Sequence, residues 1–282
     1  LHGRLERMPA TPKKPNFLVD ARWLAKHRYD ASLVLVDTRA AEDYWQGHLR
    51  GARHFDPFPF HHQDTSERGM AEFRAQLQWI FSALGITGRE TVVCYENDSG
   101  MRATRVAWAL EYVGHPRAKI LDGGLKGAAT EKLVKDAPKF APTNFKAKPR
   151  EDAAASYYYI VERIGRADTQ ILDVRTDGEY FAERVRARHG GAIPGAIHYE
   201  WVNANAPSGE LRSADELRAE FRQLGLDPAR EIVTYCQGGY RAAHSYYALK
   251  LAGFERVRNY YGSWAEWGNR DDVPIERPKR RA

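Results

Sequence analysis

One order of motifs is written twice along the 282 residues, and a chain built this way must fold as two copies of one unit. In the first copy Leu33-Val34-Leu35-Val36 runs into Asp37-Thr38-Arg39, followed by Glu42, Tyr44, His48 and Gly51-Ala52. In the second, Ile171-Leu172-Asp173-Val174-Arg175 is followed by Glu179, Tyr180 and Ile193-Pro194-Gly195-Ala196. A helix-like stretch ending in Leu-Gly comes next in each, over 73–85 and 214–225, with Ser213 or Ala214 at the second start and Gly225 as its C-cap. Second strand patterns then appear at Thr91 to Tyr95 and Glu231 to Tyr235. Each passes through a short loop into a helix, over Arg102 to Val113 and Arg241 to Ala252. Third strands are predicted at Lys119 to Leu121 and Arg256 to Tyr260.

Strands alternating with helices of this length predict βαβ units, and continuous apolar strands predict parallel sheets buried on both faces. The expected class is therefore α/β: two tandem domains, each a mostly parallel sheet flanked by helices. The boundaries read as a first domain over 1–137, a linker over 138–150 carrying Pro138, Pro142 and Pro149, and a second domain over 151–282. The length suits two cores at about 150 residues each.

Composition narrows the class of function. With 43% apolar and 28% charged residues of both signs, the chain is neither disordered nor fibrous. No apolar run approaches the roughly 18 residues that span a bilayer, and the basic stretch Leu1 to Pro15 lacks a signal-peptide core, so no membrane association is expected. Part of the net charge of +6 comes from Lys279-Arg280-Arg281, read as a solvated tail. No basic stripe is interleaved with aromatics, so nucleic acid is not an expected partner. Cys94 and Cys236 lie far apart with no zinc or redox spacing, which fits a reducing, cytoplasmic setting. The scattered histidines, His61-His62 included, lack ligand partners at zinc spacing, and no metal or cofactor is expected.

In an open parallel sheet, ligands bind where strand ends hand over to helix N-termini, whose N–H groups and dipole favour negative charge. Cys236 stands at such a point, followed by Gln237, Gly238, Gly239, Tyr240 and Arg241. A thiol facing those N–H groups and a guanidinium is biased towards thiolate, so Cys236 is the candidate nucleophile. The glycine pair lets the backbone curl round whatever the sulfur carries. Cys94, inside the strand Val92 to Tyr95, reads as a small buried hydrophobe. Glu96 occupies the matching strand end, so the first half has the scaffold and Arg102 but no nucleophile.

Together with the two Asp-x-Arg strand ends and Gly262-Ser263-Trp264-Ala265-Glu266-Trp267, this loop resembles the rhodanese superfamily over nearly the whole chain. It is similar to the two-domain sulfurtransferases, in which a catalytically silent N-terminal domain packs on an active C-terminal one. The resemblance implies a ping-pong reaction. Cys236 takes the outer sulfur of a small anionic donor as a persulfide and passes it to cyanide or a protein thiol. The N–H groups from Gln237 through Arg241 are expected to stabilise the persulfide. Arg241 either grips the donor anion or ties back to the loop. Asp173 and Arg175 are expected behind the site, pinning the loop, while Trp264 and Tyr240 either wall the pocket or, for Trp264, belong to the core. His244, inside the following helix, is not expected to be catalytic.

Thiosulfate is the expected donor. Members resembling mercaptopyruvate sulfurtransferases carry a Cys-Gly-Ser-Gly-Val type of loop and an arginine shortly after the Asp-x-Arg strand end. Here that place holds Glu179, whose carboxylate would repel a 2-oxo acid, and the loop arginine suits a compact dianion. The alternatives are 3-mercaptopyruvate as donor, or a persulfide carrier that docks proteins with little small-molecule turnover. Phosphatases space cysteine and arginine one residue further apart, and Tyr235 stands where their histidine would precede the nucleophile. Ala192 also departs from the family histidine present in the first half as His48, and the basic stretch Arg184 to Gly191 carries no assigned role.

Overall fold

A computed structural model describes residues 16–280. The stretch Leu1 to Pro15 and the terminal Arg281 therefore lie outside the described residues, whereas Arg280 is not a free tail residue. Its guanidinium pairs with Glu183 and Asp177 and lies over the Phe181 ring.

The first half runs through β1 (Leu18–Val19), β2 (Leu33–Asp37), β3 (His48–Leu49), β4 (Arg53–His54), β5 (Thr91–Tyr95), β6 (Ala118–Leu121) and β7 (Leu133–Val134). Five of these form a parallel sheet in the order β1-β6-β5-β2-β4, and β3 pairs with β7 antiparallel. The second half uses β8 (Thr169–Asp173), β9 (Ile197–His198), β10 (Glu231–Tyr235) and β11 (Val257–Asn259), all parallel, in the order β11-β10-β8-β9. The expected α/β class with two parallel sheets is what the chain forms. Central strands are buried on both faces, which is why they read as continuous apolar runs.

The repeat extends to the edges that sequence patterning passed over. Where the first sheet has β1, the second has only the parallel bridge Ala154 to Asn259, and where the first has β3 and β7, the second has the antiparallel bridge Ala192 to Glu276. Two or three residues carry too little pattern to be recognised as strands. The helix expected from Phe73 begins earlier, spanning Glu67–Ala83, because Ser66 accepts the Gly69 N–H and sets the start. The helix Ala214–Gln223 starts where expected, with Ser213 and Glu216 closing a reciprocal capping box.

Segment 137–150 contains no helix or strand but is strapped to the first half. Its Phe145 is buried, and the Lys148 and Arg150 N–H groups donate to the Val113 and Tyr112 carbonyls. The two sheets share a central core, and each half also holds a smaller apolar cluster of its own. The helices Met101–Tyr112 and Tyr240–Leu251 pack against each other, and one apolar cluster runs from Val34 and Trp108 through Tyr246 to Phe254. Both helices are buried almost all round, polar residues such as Arg105 and His244 included, because they are enclosed between the two sheets. At their far end, Glu111 accepts hydrogen bonds from Tyr246, Tyr247 and Lys250, fixing the angle between halves.

Candidate active site

β10 delivers Tyr235 and then Cys236 to the carboxyl edge of the second sheet, and the chain turns through Gln237, Gly238 and Gly239 into the helix Tyr240–Leu251. Gly239 has φ +81°, and a Cβ there would stand 2.6 Å from the Tyr261 Cα, so only glycine fits. That turn aims the Gly239 N–H at the Cys236 Sγ, 3.1 Å away. From the other side the Cys236 N–H donates to Ser263 Oγ at 3.0 Å, while the Trp264 N–H donates to the Cys236 carbonyl at 3.0 Å. Ser263 holds φ +53°, a conformation rare outside glycine, and its hydroxyl also donates to the Tyr260 carbonyl.

Cys236 is only 1% exposed. Burial alone would push its thiol up, but the Arg241 charge and N–H groups of Ala242, Gly238 and Gly239 outweigh it, and the pKa lies below that of an ordinary thiol. Cys94, with burial acting unopposed, is pushed the other way. The two halves thus supply an internal comparison of one residue type in two electrostatic settings.

Arg241 does not present a free guanidinium. Its Nη1 and Nη2 donate to Glu179 Oε2 and Oε1 at 2.6 and 3.0 Å, a bidentate pair with both side chains largely buried. Reading Glu179 and Arg241 as independent charges, one repelling and one attracting an anion, is therefore corrected: they form an ion pair, and the Arg241 charge still acts on Cys236. Arg186 approaches the same carboxylate at 3.4 Å, and its carbonyl accepts from the Gln237 side chain. The basic stretch Arg184 to Gly191 consequently lies against the mouth of the loop.

Burial opposes the ionised form of Glu179, but Arg241 and the Thr176 hydrogen bonds dominate and hold its pKa at about 2 against an ordinary 4.5. A depressed carboxylate contributes stability that is fully present above the ordinary value and is lost as pH falls through the folded value. Between pH 5 and pH 2 the protein is expected to lose on the order of 3 kcal/mol through this group, the equivalent of its shift. Guanidinium titrations at pH 2.5 and 7 on the wild type and Glu179→Gln would test it; an equal loss in both proteins rules it out.

Asp173 and Arg175, 0% and 1% exposed, form an ion pair behind the loop. Tyr235, immediately before Cys236, donates its hydroxyl to Asp173 Oδ2 at 2.5 Å. Arg175 Nη2 reaches the Gly191 carbonyl at 2.6 Å, and Trp264 lies 4.4 Å over the guanidinium with its indole N–H on the His189 carbonyl. Trp264 thus belongs to the packing beneath the site. Tyr240 points into the opposite half, its hydroxyl donating to the Pro57 carbonyl at 2.8 Å. His244 is buried, with Nε2 near the Ser99 carbonyl and Asn205.

The first half repeats the frame with a different occupant. Asp37 and Arg39 pair as Asp173 and Arg175 do, and Arg39 reaches the Gly47 carbonyl. Glu96 fills the position of Cys236, its carboxylate accepting the N–H groups of Arg102 and Ala103 at 2.8 and 2.9 Å. Burial drives its pKa up to about 7 against those donors. Sequence reading missed Ser263 as a partner of the cysteine, Glu179 as the partner of Arg241, and the contacts made by His61 and Arg105 at the loop. A Cβ on Gly238 would stand 2.4 Å from the His61 ring, and one on Gly239 2.8 Å from Arg105 Nη1. No spacing along the chain signals such contacts. Among the described residues, no cluster of three or more histidine, cysteine or acidic side chains is arranged to hold a metal, and no helix is long and apolar enough to cross a membrane.

Comparison with known proteins agrees with this construction. The rhodanese-like domain matches twice, over residues 20–131 and 156–270. Thiosulfate sulfurtransferase of Azotobacter vinelandii is 37% identical over 246 residues, covering 86% of this chain and 91% of that protein. Sulfur carrier protein TtuD of Thermus thermophilus is 30% identical over 282 residues, covering 93% and 96% respectively. Among solved structures, the anaerobic ergothioneine biosynthesis enzyme of Chlorobium limicola, bound to trimethyl histidine, superposes with a TM-score of 0.82 at 25% identity, covering 94% of this chain and 71% of that one. With two such domains joined through one core, the chain belongs to the rhodanese family of sulfurtransferases.

Proposed function

We propose that the protein moves sulfane sulfur from thiosulfate to a thiophilic acceptor through a persulfide on Cys236. The observation that carries this reading is the sulfur itself, held at a helix N-terminus with the Gly239 N–H 3.1 Å away and the thiol shifted towards thiolate. The Cys236 thiolate attacks the outer sulfur of thiosulfate, the sulfur–sulfur bond breaks, and sulfite leaves with the electron pair. An acceptor such as cyanide or a protein thiol then attacks that outer sulfur and returns the thiolate. N–H groups of residues 237 to 241 stabilise the anion at both stages. Glu96 replaces the nucleophile in the first half, which we read as catalytically silent, and the units are read as 1–137 and 151–282 about the 138–150 segment.

Because Glu179 pairs with Arg241, the charge contrast between them no longer selects the donor. Support for thiosulfate comes from the Azotobacter relative, and the related carrier of Thermus favours a second reading, in which Cys236 holds a persulfide for a docked protein. Intact-mass measurement after incubation with thiosulfate or 3-mercaptopyruvate separates the donors. A gain of one sulfur atom from thiosulfate, lost on adding cyanide with formation of thiocyanate, is expected. Gain from 3-mercaptopyruvate alone overturns the donor, and gain that cyanide cannot remove favours the carrier.

A further inference from the structure

Arg105, on the helix Met101–Tyr112 of the silent half, is 3% exposed and faces the loop of the other half. Its guanidinium sits among the rings of Phe73, Trp108, Tyr240 and Tyr261, at 5.4, 4.7, 5.1 and 5.6 Å. Its hydrogen bond among the described residues is a long one, 3.5 Å from Nη1 to the Gly239 carbonyl. A buried cation needs a counter-charge, and ring faces recover only part of what water supplied. The titratable groups facing it are Tyr112, Tyr240, Tyr261, Cys236 and His61. Burial pushes the three phenols up, and burial with the Arg105 charge pushes His61 down to about 4, so all four are neutral at pH 7. Cys236 alone among them can be negative there.

Resting on the reading of Cys236 as the sulfur-carrying nucleophile, we propose that Arg105 is its positioning residue from the silent domain, a buried cation matched only when the sulfur is a thiolate or persulfide. The contact runs through Gly239, whose N–H donates to Sγ while its carbonyl meets Arg105. Flanking contacts come from the same half, His61 against Gly238 and the Pro57 carbonyl under the Tyr240 hydroxyl. Cys236 thus faces two cations: Arg241, which also pairs with Glu179, and Arg105, which has no carboxylate partner among the described residues.

The test is the pH profile of Cys236 alkylation by iodoacetamide, followed by peptide mass, in the wild type, Arg105→Met, Arg105→Gln and Arg105→Lys. Both neutral variants are expected to raise the midpoint by about one pH unit, a tenfold loss of thiolate below it, with the plateau rate unchanged. Lysine is expected to restore the wild-type midpoint. Thermal melts identify folded variants, and glutamine, which is shorter but keeps an N–H donor, gives the reading if methionine does not fold. A midpoint that stays put in a folded neutral variant, or one that lysine shifts as far as methionine does, overturns the proposal. Failure of the wild type to take sulfur from any donor overturns the reading of Cys236 instead, and the alkylation profile distinguishes the two.

Discussion

Cys236→Ser is expected to abolish sulfur uptake and to lower thiocyanate formation by at least about four orders of magnitude, because a hydroxyl neither ionises in this setting nor forms a sulfur–sulfur bond. The substitution keeps the size of the side chain and leaves Ser263, Trp264 and Gly239 with their loop contacts, so folding should persist. Cys94→Ala is the matched control. That thiol lies within β5, fully buried and held protonated by its surroundings, and its loss should alter stability but not uptake. Intact mass after thiosulfate treatment reads both proteins. Uptake surviving in Cys236→Ser and vanishing in Cys94→Ala would place the chemistry in the wrong half.

Asp173→Ala is expected to cost about 3–5 kcal/mol of stability, since it leaves the fully buried Arg175 guanidinium without its carboxylate. It also releases the Tyr235 hydroxyl, one residue before the nucleophile, so uptake by the folded fraction should slow as well. Asp37→Ala breaks the equivalent pair with Arg39 and should cost a similar amount without touching uptake. Guanidinium unfolding gives the stability of each variant, and single-turnover loading gives the rate. If Asp173→Ala costs under about 1 kcal/mol, the pair is not holding the strand ends together. If both variants slow loading equally, the frame in the first half contributes more than support.

Local chemistry made much of this protein legible in its residues. Continuous apolar runs marked β2, β5, β8 and β10 because buried parallel strands need no polar face, and a cysteine followed by two glycines at a strand end marked the loop. Segments of two residues, such as β1 and β7, left no pattern to read. The charges around the sulfur were misjudged for a different reason. Glu179 and Arg241 each carried a plausible meaning alone; their pairing removes Glu179 as a separate repelling charge, while the Arg241 charge still acts on Cys236.

The repeat, the class of sheet and the position of the nucleophile follow from the sequence, since each depends on periodicity or on neighbours a few residues away. Which charges meet at that nucleophile follows from packing within the second half and between the two halves. Arg241 finds Glu179 across 62 residues within the second half, and Arg105 reaches Gly239 across 134 once the helices Met101–Tyr112 and Tyr240–Leu251 have docked. An apolar pattern records that a helix face is buried but not what it is buried against. Coulomb energies and desolvation depend on just that.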